Sequence, residues 1–394
     1  MTDIVIAGIG QTEVGEHWDI SLRELAFEAI QAAVKDAGGL RPQALFVGNM
    51  LSPNLSNQAH LGVLLADYAG LRFDFAQHSA GIEAVTVEAA GASGGAALRQ
   101  GYLAVKSGLV DVALVVGVEK FTDKVGSDVD AAIATTGDSD YEAVQGLTAS
   151  AQAALLMRRY MHENHVPADG FAGFALTAHA NGAGNPYAMF QKAIKPEAYA
   201  KVEMVSDPLN MFDMAPNADG AAALVLTRRD LIPSNGSNPL VKVAGSAAAA
   251  DTLALHDRKD PLFFDTAQLS AGKAMKQVGL TLDGIDFFEY HDVFSIYAAL
   301  QLEAVGFAIK GAGWKLAAGG HINLQGRIPC ATMGGMKARG FPGGAAGVYQ
   351  AVEATLQLRG QAGKNQVEGA RFGLIQSLGG PASTAVSHIL TNNG

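Results

Sequence analysis

Apolar and polar positions along the chain switch between two periods. Residues 3–10 (DIVIAGIG) form a short, nearly unbroken apolar run, the pattern of a buried strand. From Leu22 the spacing becomes helical, with Leu22, Leu25, Ala26, Ile30, Ala33 and Val34 on one face. Ser21, with Glu24 three positions on, is a capping-box start for that helix, and Gly38-Gly39 ends it. Strands are predicted over 44–47, 84–88 and 111–118, with a helix over 93–106. The second half repeats this order. A strand over 240–247 leads to a helix over 266–278, then a strand over 285–290 and helices over 293–305 and 344–358. A strand over 372–377 and a hairpin return over 384–390 complete it. Strands alternating with helices point to an α/β fold.

A Gly-Gly-Ala-Ala helix start recurs at 94–97 and 343–346 within that matching order. The repeat predicts an internal duplication, 1–235 against 236–394. Between Lys120 and Asp213 the alternation fades, apart from a helix over 146–163. An insertion of that size in an α/β unit is read as a substrate-binding loop domain or a dimerisation arm.

Composition narrows the function. The chain has 394 residues, 49% of them apolar and only 17% charged. Against roughly 25% charged residues in ordinary soluble domains, this fits a large core or an oligomer that covers part of its surface. A net charge of −10 argues against a general nucleic-acid binder. One cysteine, Cys330, excludes a disulfide framework. No apolar run reaches the ~20 residues of a membrane span, and no basic-then-apolar leader opens the sequence, so a cytoplasmic protein is expected. The ten histidines are scattered and show no metal-binding spacing; no phosphate-loop or dinucleotide motif is present either.

Four segments place glycines or reactive side chains where strands end, the usual ligand position in α/β sheets. In 85–98 (VTVEAAGASGGAAL) a nucleophile at position 91 would sit at a helix start, but residue 91 is Gly. Ser93 nearby is a replacement nucleophile or simply a cap. In 289–297 (EYHDVFSIY), His291 beside Asp292 reads as an acid/base pair, or as a packed histidine next to a helix cap. The glycines of 332–344, next to Lys337 and Arg339, suggest close backbone approach or a tight turn. Gly379 and Gly380, after a buried strand, offer N–H groups to an oxyanion or make a simple hairpin.

Together these segments resemble the thiolase superfamily, in particular the sterol-carrier-type and archaeal thiolases. The likeness spans nearly the whole chain and is carried by SLRELAFEAIQAAVKDAGG (21–39), VEAAGASGG (87–95), HANGAGNPYA (179–188) and DMAPNADGAAALVL (213–226). EYHDVFS (289–295), GGMKARGFPGGAAGVYQAVEATLQLRG (334–360) and QSLGGPAS (376–383) continue it. The resemblance implies a five-layer αβαβα sandwich of two duplicated halves with a loop domain in the first. It also implies a nucleophilic cysteine where this chain has Gly91, and a histidine where it has Phe341. The family's base cysteine corresponds to Val293, or in other members to Ser377. Cys330 falls where the family uses no nucleophile and reads as a packed small residue. Without a thiolate no acyl-enzyme forms.

What the resemblance leaves is closest to the cysteine-less, thiolase-like aldolases of steroid side-chain degradation, which work alongside a small zinc-ribbon/OB-fold protein. The implied activity is retro-aldol cleavage of a β-hydroxyacyl-CoA to a shorter acyl-CoA and a ketone or aldehyde. His291 is then the base or its relay, with Asp292 orienting it. Tyr297 is a further candidate, ahead of Tyr290 and Tyr349. Backbone N–H groups of Gly91, Gly379 and Gly380 are expected to stabilise the enolate. Phe341, Val293 and Ser93 are expected to line the substrate pocket. Coenzyme A enters as part of the substrate, with no bound cofactor or metal. A homodimer, or a heterotetramer with the small partner, is expected, without nucleic acid or membrane. Two alternatives stand beside this reading: an acyl-CoA acyltransferase with an unusual site, and a non-catalytic subunit of an acyl-CoA-processing complex.

Overall fold

The computed structural model describes residues 3–71, 81–232 and 239–393. Strand β1 (Ile4–Gln11) is apolar along its length because both its faces are covered. Helix α1 (Leu22–Asp36) starts at the Ser21–Glu24 capping box and lays Leu22, Leu25, Ala26, Ala29, Ile30 and Ala33 onto the sheet. The helix lies so close to β1 that a Cβ at Gly8 or Gly10 would strike its backbone at Ala33 and Ala29. The chain continues through β2 (Ala44–Gly48), α2 (Ser52–Leu55), α3 (Leu61–Tyr68), β3 (Glu83–Val87), α4 (Ser93–Ser107) and β4 (Val112–Glu119). The insertion follows as α5 (Ser127–Ala134), α6 (Ala149–Asn164), α7 (Ala172–Gly182), α8 (Pro196–Lys201) and a small hairpin of β5 (Met204–Ser206) and β6 (Leu209–Asn210). Strand β7 (Gly220–Arg228) re-enters the sheet antiparallel to both β4 and β1.

The second half runs β8 (Val241–Ala250), α9 (Asp265–Val278), β9 (Phe287–Glu289), α10 (Ser295–Val305), α11 (Gly313–Ala318), α12 (Gly335–Arg339) and α13 (Ala346–Arg359), closing with the hairpin β10 (Phe372–Gly379) and β11 (Thr384–Thr391). The strand order is β3-β2-β4-β7-β1-β8-β11-β10-β9. Among the described residues, the five strands of the first half meet the four of the second through two residue pairs, Val5 with Lys242 and Ile6 with Val241. Helices α1 and α3 cover the outer face of the first half, and α9 with α10 the outer side of the second. Helices α4 and α13 lie between the two half-sheets, each touching strands of both. This is the five-layer αβαβα sandwich that the resemblance implies.

The repeated Gly-Gly-Ala-Ala starts face each other where α4 and α13 cross. A Cβ at Gly94 would lie 2.7 Å from the Gly344 carbonyl, so the small residues set how closely the two helices approach. The boundary expected at 235/236 lies outside the described residues. Two predicted elements come out shorter. Strand 285–290 contracts to β9, and α10 begins at Ser295 rather than 293. The cause is local: beyond Glu289 the backbone is bonded by side chains instead of strands, as described below. Among the described residues no helix is long and apolar enough to cross a membrane.

Candidate active site

A cavity of about 120 Å³ opens where the ends of the central strands meet the insertion. Its floor comes from four turns. The first is the 3-10 turn Ala90–Ala92 ahead of α4. Ala90 takes φ +50 there, and the Ser93 hydroxyl braces the turn, accepting from Ala89 N (2.9 Å) and donating to Ala90 O (2.6 Å). Ser93 is therefore not a pocket residue; its hydroxyl is used up inside the turn and the side chain is fully buried. Gly91 does face the cavity, and neighbouring groups leave no room for a side chain there. A Cβ there would lie 2.7 Å from the Leu378 carbonyl and 3.1–3.2 Å from Cε1 and Nε2 of His291.

The second turn follows β9 and carries His291, Val293, Phe294 and, one helical turn on, Tyr297, all on the cavity wall. The third brings Phe341, whose ring stands edge-on to His291 with centroids 5.7 Å apart. The fourth is 379–383. Gly380, at φ +55, lines the cavity with Leu378 and Pro381, while Gly379 sits behind them as the last residue of β10. Arg258 fixes this turn by donating to Pro381 O and, at 2.9 Å, to Ser383 Oγ. The segment 213–219 stitches the second and third turns together: Ala215 N donates to Val293 O (2.8 Å) and Phe341 N to Pro216 O (2.9 Å).

Asp292 does not orient His291. Its Oδ1 accepts from Met336 N (2.7 Å) at the start of α12, so this aspartate caps a helix distant in sequence instead of the one that follows it. The α10 position expected for its cap belongs to Phe294. Lys337 and Arg339, beside the glycines of 332–344, point inward. Lys337 donates to Asp213 O (2.6 Å), and Arg339 pairs with Glu353 (3.2 Å), all within the core. Cys330 is buried, with Sγ donating to Ile328 O, and is not on the cavity wall.

The electrostatics of the site follow from its dryness. Burial, reinforced by the Arg339 charge, lowers the His291 pKa to about 3, so the imidazole is neutral in the resting site. Among the described residues its Nδ1 has no hydrogen-bond partner, and its Cε1–Nε2 edge is the one turned toward position 91. Burial also raises the phenol pKa of Tyr297, against the lowering effect of nearby Arg258. No Lys or Arg is among the described residues lining the cavity, whereas Asp130 and Glu142 are. No cluster of three or more potential metal ligands occurs among the described residues.

Several residues of the site escaped the sequence reading. Gln301 and Gln350 carry no motif signal, yet Gln350 Nε2 donates to Glu289 O, Tyr290 O and Gln376 O and so ties β9 to β10. Met50, Glu142, Thr148, Gln152, Met214 and Asn217 reach the cavity from the insertion and flanking loops. The 213–226 segment, already singled out, and the insertion, read as a substrate-binding loop domain or a dimerisation arm, gave the hints of these.

Comparison with known proteins bears on the whole chain. Residues 4–230 match the family model described as thiolase, N-terminal domain, and residues 247–392 the one described as thiolase C-terminal domain-like. The chain is 42% identical to an acetyl-CoA acetyltransferase of Methanothermobacter thermautotrophicus, over 99% of this chain and 100% of that protein. It is 29% identical to the benzoylsuccinyl-CoA thiolase subunit BbsB of Thauera aromatica, over 93% and 91% of the two chains. Among solved structures, the Ltp2-ChsH2(DUF35) aldolase superimposes with a TM-score of 0.82 at 24% identity, covering 99% of this chain and 97% of that one. An acetyl-CoA acetyltransferase from Syntrophomonas wolfei gives 0.72 at 17% identity over the full length of both. These two structural matches are likenesses of fold.

Proposed function

The chain belongs to the thiolase family, and on that premise we propose that it acts on coenzyme A thioesters without forming an acyl-enzyme, as a retro-aldol lyase. A β-hydroxyacyl-CoA is cleaved between its α and β carbons. The β-hydroxyl gives up its proton, the bond electrons move onto the thioester as an enolate, and a ketone or aldehyde departs. Protonation of the α carbon then yields the shorter acyl-CoA. The carrying observation is position 91, where a nucleophile's side chain would have to occupy space held by the Leu378 carbonyl and the His291 ring.

This route needs enolate stabilisation more than nucleophilicity. A neutral imidazole with a pKa of about 3 is a weak base but a sound hydrogen-bond donor. His291 is therefore assigned the thioester oxygen, with Nε2 donating as charge develops there. Proton acceptance from the hydroxyl falls to Asp130 on the wall, since burial keeps the Tyr297 phenol protonated and Glu142 is committed to three hydrogen bonds. Coenzyme A is part of the substrate in this reading.

Acyl transfer is the second reading, favoured by the name of the 42%-identical relative. It requires a nucleophile, and the cavity offers hydroxyls of Thr136, Thr148, Ser150 and Tyr297 but no thiol. Self-association and a small zinc-ribbon/OB-fold partner belong to the proposal. Strand β3 supports the first, since among the described residues it is paired only with β2 and exposes Val85. The two-component name of the Ltp2-ChsH2(DUF35) aldolase supports the second.

The test is mass spectrometry of CoA species after incubation with a panel of β-hydroxyacyl-CoAs, run with and without such a partner. A shorter acyl-CoA plus a carbonyl product, without added free CoA, is expected. His291→Gln should slow cleavage by about 10²-fold, as for loss of an oxyanion donor. Product that appears only when free CoA is supplied overturns the lyase in favour of acyl transfer.

A further inference from the structure

Resting on the reading of His291 above, we infer that Gln301 is the positioning residue of this site. The chain leaves the sheet after Glu289, so the peptide groups of His291 have no strand beside them. A buried N–H and C=O left unpaired would be costly. Gln301, on α10 and fully buried, satisfies both: its Oε1 accepts from His291 N at 2.9 Å and its Nε2 donates to His291 O at 2.7 Å. One side-chain amide exchanges the two bonds that a neighbouring antiparallel strand would make. The second amide hydrogen goes to Tyr297 O at 3.0 Å, which ties Tyr297, also on the wall, to the same clamp.

Ring orientation makes this clamp decisive. A working histidine is usually aimed by a hydrogen bond to its second nitrogen. Here, among the described residues, Nδ1 has no partner, Asp292 bonds to α12 through Oδ1 and makes no hydrogen bond to the ring, and the Phe341 edge restrains the ring only by packing. The imidazole is therefore aimed through its backbone, and the backbone is held by Gln301.

Gln301→Met keeps the length of the side chain and removes the hydrogen bonds; Gln301→Glu keeps an acceptor for the His291 N–H. Gln301→Met should lower kcat about 10–100-fold, since small misplacements cost that much, while KM stays within about twofold. Gln301→Glu should fall between it and the wild type. An independent readout is the ring-carbon NMR spectrum of histidine-labelled protein, with the His291 signal identified by its absence in His291→Gln. That signal should shift in Gln301→Met while those of the other histidines hold. An unmoved His291 signal, or an unchanged kcat, overturns the inference. If the wild type cleaves no thioester, the lyase reading fails and the spectrum alone decides the role of Gln301. If Gln301→Met does not fold, Gln301→Glu carries both measurements, with the same outcomes.

Discussion

Gly91 shows how far a single letter of sequence carries. That residue 91 is Gly where the resemblance implies a nucleophile is legible from VEAAGASGG; that the Leu378 carbonyl and the His291 ring stand where its side chain would go is not, because both come from segments remote in sequence. Gly91→Ala forces those groups apart and should cost about 1–3 kcal/mol as overpacking, seen as a lower Tm. It should also lower any cleavage rate, since the methyl group pushes directly on the His291 ring. Gly91→Cys should show no acyl adduct by intact mass after exposure to acyl-CoA. His291 was legible as a residue but not as an acid–base state. Its motif suggests an ordinary histidine near pH 6.5, and only burial together with Arg339 explains the fall to about 3. Ser93 and Asp292 sit in the right segments for a different reason, as the braces of a turn and of α12.

At the level of elements, the layered order of strands and helices and the existence of the insertion were both readable from periodicity. The fastening of the insertion was not. Glu142 holds it, accepting from Asp138 N (3.1 Å), Gln152 Nε2 (2.9 Å) and, across in the second half, Leu255 N (2.9 Å). An acidic residue in a polar loop gives no sign of such partners. Glu142→Ala leaves these donors unpaired and frees the segment that forms one wall of the cavity. Faster limited proteolysis between α5 and α6 is expected, with KM raised about tenfold and a smaller change in kcat. Unchanged proteolysis would mean that packing of Ala132 and its neighbours alone holds the segment. Strand β9 makes the same point about legibility: its run of apolar letters promised six strand residues, and two buried glutamines ended it at three.

For the whole molecule, pH dependence of stability follows from groups buried in their neutral forms. His179, His291 and His388 have pKa values lowered to about 4, 3 and 4, chiefly by burial. Unfolded, they bind protons below about pH 6.5, so stability falls as acid is added below that value. Glu119 and Glu289 are raised to about 7 and Glu353 to about 8, and Asp213, Asp292 and Glu303 are raised too, all chiefly by burial, so their contribution is lost as pH rises from about 4.5 to 8. Between about pH 4.5 and 6.5 three histidines gain against six carboxyls that lose, and above about 6.5 only the carboxyl loss remains. Thermal melts should therefore show a Tm that falls from about pH 5 to pH 8. A Tm still rising at pH 8 would show that these groups do not govern stability.

The middle layer carries a consequence for how the protein is made. Ala97 and Leu98 of α4 belong to a cluster completed by Val348, Tyr349, Ile375 and Leu390, all from the second half. While the ribosome is still synthesising that half, the finished first half shows an apolar flank with nothing to cover it. The nascent protein should therefore lean on a chaperone until α13 and the last hairpin emerge, and a truncated first half expressed alone should be retained by one.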